Sequence, residues 1–497
     1  MDGIDKMDKT VQTTLQIESR IAVRLGLGLL LLSCLAPVYA QTAEPIFADR
    51  CLYAPAHFGN SYEVMGEREM RAMLEEARHW GFNRYCDWFD TVDCADLFAD
   101  SHFNMGKALW QRKKTNFLSA QALGLKCDLC ITPNHVFLDQ CLPDLRAVKG
   151  PRIFGQLVCP SIPEAREIIL KNYDNIFKDL AASGVRLSAL EACPYDYGGC
   201  ACDPCKPWIL TFAKLCLEIH AIAEKYHPGI EMRFVGWWWA EEEHRLFAEW
   251  ADAEAPGWAK SIALHIPYGK TDVSDVPLPE GCERHAFIHI GYADQAEPRD
   301  IYGHLGPVIA PARLSETIAA LKAHGVTGFM AYSEGVYEDV NKALLAGITS
   351  GHYETPDQVL NAYAKRYFAA EDAAASEWAA WLEQWARPFE VDAAQAGKDL
   401  ASLSQNLPAD DWRVRQWAIK AELLRLHGAV MAENEWTPTR VANAEAFWAA
   451  REELERRVYG LGPLRHILDK HFAPLPWAKS WAEYTAQSVS TMHEEQE

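Results

Sequence analysis

Leu190-Glu-Ala-Cys-Pro-Tyr-Asp-Tyr-Gly-Gly-Cys-Ala-Cys-Asp-Pro-Cys-Lys-Pro-Trp208 is the stretch on which the reading of this chain turns. The apolar run Val185–Glu191 leads into it as a β-strand, and an amphipathic helix, Pro207–Tyr226, leads out. Between them Glu191 and Asp196, two tyrosines, a Gly-Gly turn and four cysteines crowd a single strand exit. A second stretch, Tyr332-Ser-Glu-Gly-Val-Tyr-Glu-Asp-Val-Asn-Lys342, stands at the exit of another predicted strand, Gly328–Tyr332. Working outward, the same unit recurs. Strands are predicted at Arg50–Ala54, Asn83–Trp88, Lys126–Thr132, Glu231–Trp237, Ser261–Ile266 and His285–Gly291. Helical periodicity fills Glu67–Trp80, Met105–Leu123, Ile162–Ala182, Glu241–Asp252 and Leu314–His324. Gly81, Gly124, Gly184 and Gly325 stand where helices should stop, and Pro163 where one should start. Eight short strands alternating with helices make the α/β pattern of a parallel (β/α)8 TIM barrel. Only Thr271–Gly281 departs from it, with no helical period after strand six.

The pattern changes after Tyr353. Thr355-Pro-Asp opens a helix by its cap and first-turn proline, and from there to about Ile467 the spacing is helical throughout. We therefore divide the chain into a leader (1–40), the barrel (41–353) and a C-terminal α-helical domain (354–497). The tryptophans of the last part read as core. In the leader, Arg20 and Arg24 precede Leu25-Gly-Leu-Gly-Leu-Leu-Leu-Leu32, and Val38-Tyr-Ala40 resembles a cleavage site before Gln41. The run falls short of the roughly 20 residues a membrane span needs. The expectation is cleavage near Ala40 and a periplasmic or secreted protein, with a lipoprotein anchored through Cys34 as the secondary reading.

The 497 residues carry a formal charge of −21, which argues against nucleic acid or an anionic membrane surface as partner. Of the 14 cysteines, Cys34 leaves with the leader, so an odd number remains and at least one is unpaired. Cys86, Cys127, Cys130 and Cys216 lie in apolar contexts and read as buried thiols. Cys200, Cys202 and Cys205 are too close for independent roles. Their spacing suits a structural zinc, with Cys193, Cys159 or Cys141 as the fourth ligand. In an exported protein disulfides are the rival, and we place them ahead of zinc. Either device would pin the loop that carries Asp196.

Chemistry in such a barrel sits at the carboxyl ends of the strands. Those ends offer Asp87, Trp88 and Asp90; Asn134 and His135; Glu191, Tyr195, Asp196 and Tyr197; Trp237-Trp-Trp239; His265 and Tyr268; His289, Tyr292 and Asp294; and Tyr332, Glu334, Tyr337, Glu338 and Asp339. Acids, tryptophan and tyrosine dominate this rim. Glycosidic hydrolysis normally uses two carboxyl groups, one a protonated donor and one a base or nucleophile. A donor needs a raised pKa, which an apolar, aromatic setting supplies. Structural readings compete: a single acid near a strand end is commonly ion-paired, Glu241–Glu243 suit a first helical turn, and Trp237–Trp239 are in part core. Glu191, Asp196 and Glu334 stand out because glycine turns and aromatics surround each. No glycine-rich phosphate loop or Ser-His-Asp order competes.

At these residues the chain resembles exported bacterial glycoside hydrolases of the β-N-acetylhexosaminidase and α-glucuronidase-like barrel type. The likeness rests on Pro194–Trp208, which matches Pro-Tyr-Asp-x-Gly-Gly-Cys-x-Cys-x-x-Cys-x-Pro-Trp. It rests also on Tyr332–Lys342, which matches Tyr-Ser-Glu-Gly-x-x-Glu-Asp-x-Asn-Lys, and on Leu157-Val-Cys-Pro-Ser161. It covers about residues 154–368. The resemblance implies an acid at the end of strand four, here Glu191 or Asp196. Hexosaminidases of this type carry adjacent acids there and use the substrate's acetamido group, whereas Glu191 and Asp196 are five residues apart. Where such enzymes tend to carry an acid on strand seven, this chain reads Phe287-Ile-His-Ile-Gly-Tyr292. The second carboxylate is therefore expected on strand eight: Glu334, with Asp339 or Glu338 in reserve.

The sequence thus predicts a glycosidase acting on an oligo- or polysaccharide. Asp196 or Glu191 would be the proton donor and Glu334 the base or nucleophile. Tyr195, Tyr197, Trp238, His135, Tyr332, Asp87 and Glu338 would line the sugar subsite, and catalysis would need no cofactor. Its rivals are a non-catalytic glycan-binding barrel and a metal-dependent, deacetylase-like hydrolase using the cysteines or His135, His265 and His289.

Overall fold

Alternation of inward and outward side chains builds the sheet. In the computed structural model, which describes residues 44–494 apart from 58–59, 90, 92–93, 100–103, 154, 196–197, 267–274, 291–308, 409 and 462–474, eight parallel strands close in sequence order into a barrel. They are β1 (Asp49–Tyr53), β2 (Arg84–Trp88), β3 (Lys126–Ile131), β4 (Leu187–Ala192), β5 (Glu231–Gly236), β6 (Ala259–Ile266), β7 (Glu283–His289) and β8 (Gly328–Tyr332). β1 closes the ring against β8, with Tyr53 beside Tyr332. Outward residues such as Leu52, Tyr85, Leu129, Leu190, Phe234 and Phe329 join the main core beneath the helices. Inward ones, among them Cys51, Tyr53, Cys86, Trp88, Cys130, Val235, Phe287 and Met330, form a separate cluster inside the barrel.

The layer of helices follows the sequence pattern. It comprises α1 (Ser61–Val64), α2 (Glu67–Trp80), α3 (Met105–Ala122), α4 (Pro163–Ala182), α5 (Trp208–Tyr226), α6 (Glu241–Glu254), α7 (Pro311–Ala323) and α8 (Asp339–Thr349). Among the described residues no helix stands between β6 and β7, where the sequence lacks helical period. Gly81 ends α2 at φ 118°, and a Cβ there would run into Ser350 and the Ala346 carbonyl.

From residue 356 onward the described elements are helical: α9 (Pro356–Tyr367), α10 (Asp372–Glu383), α11 (Ala393–Leu403), α12 (Trp412–Met431), α13 (Pro438–Glu452) and α14 (Ala478–Glu494). The Thr355 side chain caps α9 by accepting from Gln358 N, as its sequence predicts. The tryptophans here are core: Trp381 and Trp385 pack on Trp417 at ring distances of 5.5 and 5.3 Å. α8 is buried from Val340 to Thr349. Amphipathic barrel helices show one face to solvent, whereas α8 has the barrel on one side and the helical region on the other. Among the described residues no helix is long and apolar enough to cross a membrane.

The amino-terminal floor of the barrel is charged. Arg84 makes two 2.7 Å hydrogen bonds to Asp128, both side chains wholly buried, and reaches Asp49 at 3.3 Å. Arg233 bonds Asp49 at 2.7 Å and Glu231. Burial would raise the Asp49 carboxyl, but Arg84 and Arg233 together hold it down to about 2.

Candidate active site

At the opposite end, the strands open into an aromatic bowl. Trp237 packs against His265 and His289 at ring distances of 4.2 and 5.0 Å, and His289 against Tyr332 at 5.2 Å. Trp88 stacks on His135 at 5.9 Å and meets the edge of His57 at 5.2 Å. Glu334, two residues past β8, sits in this bowl and is only 4% exposed. The Tyr332 hydroxyl donates to Glu334 Oε1 at 3.0 Å and lies 3.2 Å from His57 Nε2. Burial drives the His289 and His265 imidazoles down to about 3 and about 4, so both are neutral at physiological pH.

Behind Glu334 stands a second, fully buried carboxylate. Glu338 accepts from Glu334 N at 3.2 and 3.1 Å and from the Ser333 hydroxyl. Lys342 of α8 is buried with it and donates to Tyr62 Oη (2.5 Å) and Gly335 O (2.6 Å). Burial pushes Glu338 up and Lys342 down. The group fixes the backbone that presents Glu334; Glu338 therefore serves as support rather than as a rim acid. Asp339 lies outside the bowl. It begins α8, accepts from Tyr363 at 2.5 Å and from Arg413 Nε of α12 at 2.9 Å, and so fastens the strand-eight exit to the helical region. Its side chain also borders an apolar cleft of about 780 Å³, lined by Met65, Met73, Trp80, Tyr367 and Tyr459, away from the bowl.

Glu191 is inside the barrel, beside Cys130 and Arg233 in the strand register and 3% exposed. Burial raises its carboxyl to about 8 against the pull of Arg233. It is thus held protonated at neutral pH, but the charged groups that act on it, Arg233, Asp128, Arg84 and Asp49, are those of the barrel floor. Asp196 and Tyr197 lie outside the described residues, as do the leader and Cys34. Asp87 does not reach the bowl. Because Cys86 and Trp88 face inward, Asp87 faces the helices, where Lys113 of α3 bonds it at 2.5 Å and Tyr85 at 2.9 Å.

The wall between the β4 and β5 exits is a clasp that sequence reading missed. Arg152, from the long loop after β3, donates to Glu243 (2.7 and 2.9 Å), Tyr195 Oη (3.1 Å) and the Trp238 carbonyl (2.5 Å), and covers the Tyr195 ring at 3.9 Å. Tyr195 also donates to Glu243. Its hydroxyl is committed to the wall, and the side chain is buried. Glu243 also caps α6 at Ala240 N, as first-turn acids do. Trp238 rides on this wall with φ 59° and 39% exposure, stacked on Trp237 at 5.5 Å. A tryptophan in the left-handed region costs roughly 1–3 kcal/mol, and such strain concentrates at functional sites.

Below the clasp, the Sγ atoms of Cys159, Cys200, Cys202 and Cys205 all lie within 4.8 Å of one another. The fourth member is Cys159, not Cys193; the Cys193 sulfur is 3.7 Å from Cys130, on the barrel side of the loop. Among the described residues no other group of three or more His, Cys, Asp or Glu gathers at metal-binding distance, so His135, His265 and His289 do not converge on an ion.

No family model matches the chain, and no curated protein matches it. Solved structures of glycoside hydrolases are similar to it at low identity. A GH138 enzyme targeting pectin rhamnogalacturonan II aligns over 88% of this chain and 60% of its own, at 10% identity and a TM-score of 0.47. An O-GlcNAc hydrolase mutant from Thermobaculum terrenum aligns over 86% and 94%, at 12% identity and a TM-score of 0.46. CpGH84B aligns over 83% and 74%, at 11% identity and a TM-score of 0.43. At this distance the fold rests on the chain's own eight-strand closure, and the chemistry on its own side chains.

Proposed function

We propose that this protein is a glycoside hydrolase in which Glu334 acts as base or nucleophile and an acid of the β4 exit, Asp196 or Glu191, donates the proton. The observation that carries the reading is Glu334 itself. It is a carboxylate held by Tyr332 and by a buried Glu338–Lys342 support, in a bowl walled by Trp88, Trp237, Tyr53 and Tyr332. Aromatic faces suit the apolar faces of sugar rings, and the exposed Trp238 is available as a stacking platform. The hydrogen bond donated by Tyr332 fixes the orientation of the Glu334 carboxyl group, which a base or nucleophile requires. Glu191 stands beside Arg233 of the barrel floor, whereas Asp196 lies further along the same exit in sequence, which favours Asp196 as the donor. The leader at residues 1–40 supports export, so the working enzyme would start near Gln41.

Hydrolysis of a panel of aryl glycosides and natural oligosaccharides by the purified protein tests the proposal, with Glu334→Gln as the blank. The expected result is turnover of one sugar class, reduced in the blank by about a thousandfold or more. Removing the true donor, by Asp196→Asn or Glu191→Gln, should spare aryl glycosides whose leaving groups need little protonation and abolish turnover of natural substrates. Turnover that survives Glu334→Gln refutes the assignment. Glycan binding without turnover in the folded parent would make the barrel a binding module.

A further inference from the structure

The four-cysteine cluster is not part of the bowl, and its geometry is that of a site. Cys159 comes from the loop before α4; Cys200, Cys202 and Cys205 come from the loop between β4 and α5. Their sulfurs stand 3.6 Å (Cys159–Cys202), 3.6 Å (Cys159–Cys205) and 3.4 Å (Cys200–Cys202) apart. Four thiolates around one ion at about 2.3 Å would have edges of about 3.8 Å. Two disulfides would instead pair the sulfurs at about 2.05 Å and leave the pairs unrelated to each other. Here one sulfur, Cys159, is equally close to two others, which no set of disulfides requires. Polar groups already meet the cluster: Val148 N donates to Cys200 Sγ at 3.4 Å, and the Ser161 hydroxyl lies 2.9 Å from Cys205 Sγ. Such contacts orient and stabilise thiolate ligands.

We propose that Cys159, Cys200, Cys202 and Cys205 bind one Zn2+ as a closed tetrathiolate. Each sulfur gives an electron pair to the ion, and the displaced S–H protons pass to solvent. Sulfur-only donors select soft or borderline metals, and the tight spacing admits one ion rather than an iron–sulfur cluster, whose ligands sit on separate irons. With four protein ligands there is no open position for water or substrate, so the ion is structural.

Its place explains what it does. It joins the loop after β3 to the loop after β4. Those loops meet again where Asn134 exchanges hydrogen bonds with Gly199 at 2.8 and 3.0 Å, and where Ala201 N bonds Val148 O at 2.9 Å. Gly199 takes φ 119°, and a Cβ on it would press on Ile153 at 2.7 Å, so the turn needs glycine. The same two loops carry Arg152 and Tyr195 of the clasp. The zinc would therefore hold the wall of the bowl without touching what binds in it.

Metal analysis of the full-length protein, purified without chelator, tests this. One zinc per chain is expected, lost about tenfold or more in Cys159→Ser and Cys202→Ser and retained in Cys193→Ser and Cys130→Ser. Should the serine variants fail to fold, cobalt substitution of the parent decides: a sulfur-to-cobalt charge-transfer band with tetrahedral d–d bands is expected. A metal-free parent whose cluster thiols resist alkylation until reduced would establish disulfides and overturn the proposal. So would iron in place of zinc, or loss of metal in Cys193→Ser with retention in Cys159→Ser.

Discussion

Replacing Glu191 with glutamine keeps the shape of the side chain and removes its ionisation. In the folded protein burial raises this carboxyl from 4.5 to about 8. The unfolded chain therefore releases the proton near pH 4.5, while the folded chain holds it until about pH 8. The sign follows: the parent is fully stable, as far as this group matters, below pH 4.5 and loses stability as pH rises towards 8. One unit of pKa is worth about 1.4 kcal/mol, so the loss amounts to about 1 kcal/mol at pH 5, about 3 at pH 7 and about 5 at pH 9. Glu191→Gln escapes it. Urea unfolding followed by tryptophan fluorescence, on both proteins at pH 5, 7 and 9, should show the variant gaining on the parent by about 2 kcal/mol from pH 5 to 7. A smaller further gain is expected to pH 9. A gap that stays flat across this range, or that moves against the variant as pH rises, would refute the reasoning. It would mean that Arg233 wins over burial and that Glu191 is an ion-paired carboxylate rather than a held acid.

Trp238→Gly should release the left-handed strain at φ 59° and leave stability within about 1 kcal/mol of the parent. Its affinity for glycan, measured by calorimetry on the Glu334→Gln background, should fall at least tenfold, about 1.4 kcal/mol; unchanged affinity would remove Trp238 from the subsite. On the barrel floor, Asp128→Ala leaves the Arg84 guanidinium buried without its bidentate partner and should cost about 3–5 kcal/mol in urea unfolding. The double change Arg84→Met/Asp128→Leu should recover most of that loss.

Hydrophobic periodicity carried the fold. Every strand of the barrel was legible within about two residues, because a parallel strand under helices is an apolar run between breakers. Thr355-Pro and Gly81 marked helix ends for reasons of local backbone chemistry, and local chemistry is what a sequence displays. The site was legible in part. Tyr332 and Glu334 share one strand exit, so their meeting needs no long-range information. Asp87, expected in the sugar subsite, was not legible: it alternates with Cys86 and Trp88, which the closed barrel turns inward, and its partner Lys113 is 26 residues away. Arg152 carried no local signal. It lies in an irregular loop, and the groups it binds, Tyr195 and Glu243, are 43 and 91 residues further on. His57 is similar: its partner Tyr332 is reached only because β1 closes the barrel against β8. The choice of Cys159 over Cys193 as fourth thiol likewise depends on which way a loop folds back.

The ion pair between Asp339 and Arg413 has a bearing on how this protein can be cut and recombined. Asp339 is five residues from Glu334 in sequence, and its partner belongs to a helix made after the whole barrel. α8, buried on both sides, would show an apolar flank to water if the chain stopped after it. The smallest piece that can be cloned or exchanged between genes with its chemistry intact is therefore not the eight strands and their helices. It extends through α12, because a piece that ends after α8 would leave Asp339, at the strand-eight exit, without its Arg413 partner.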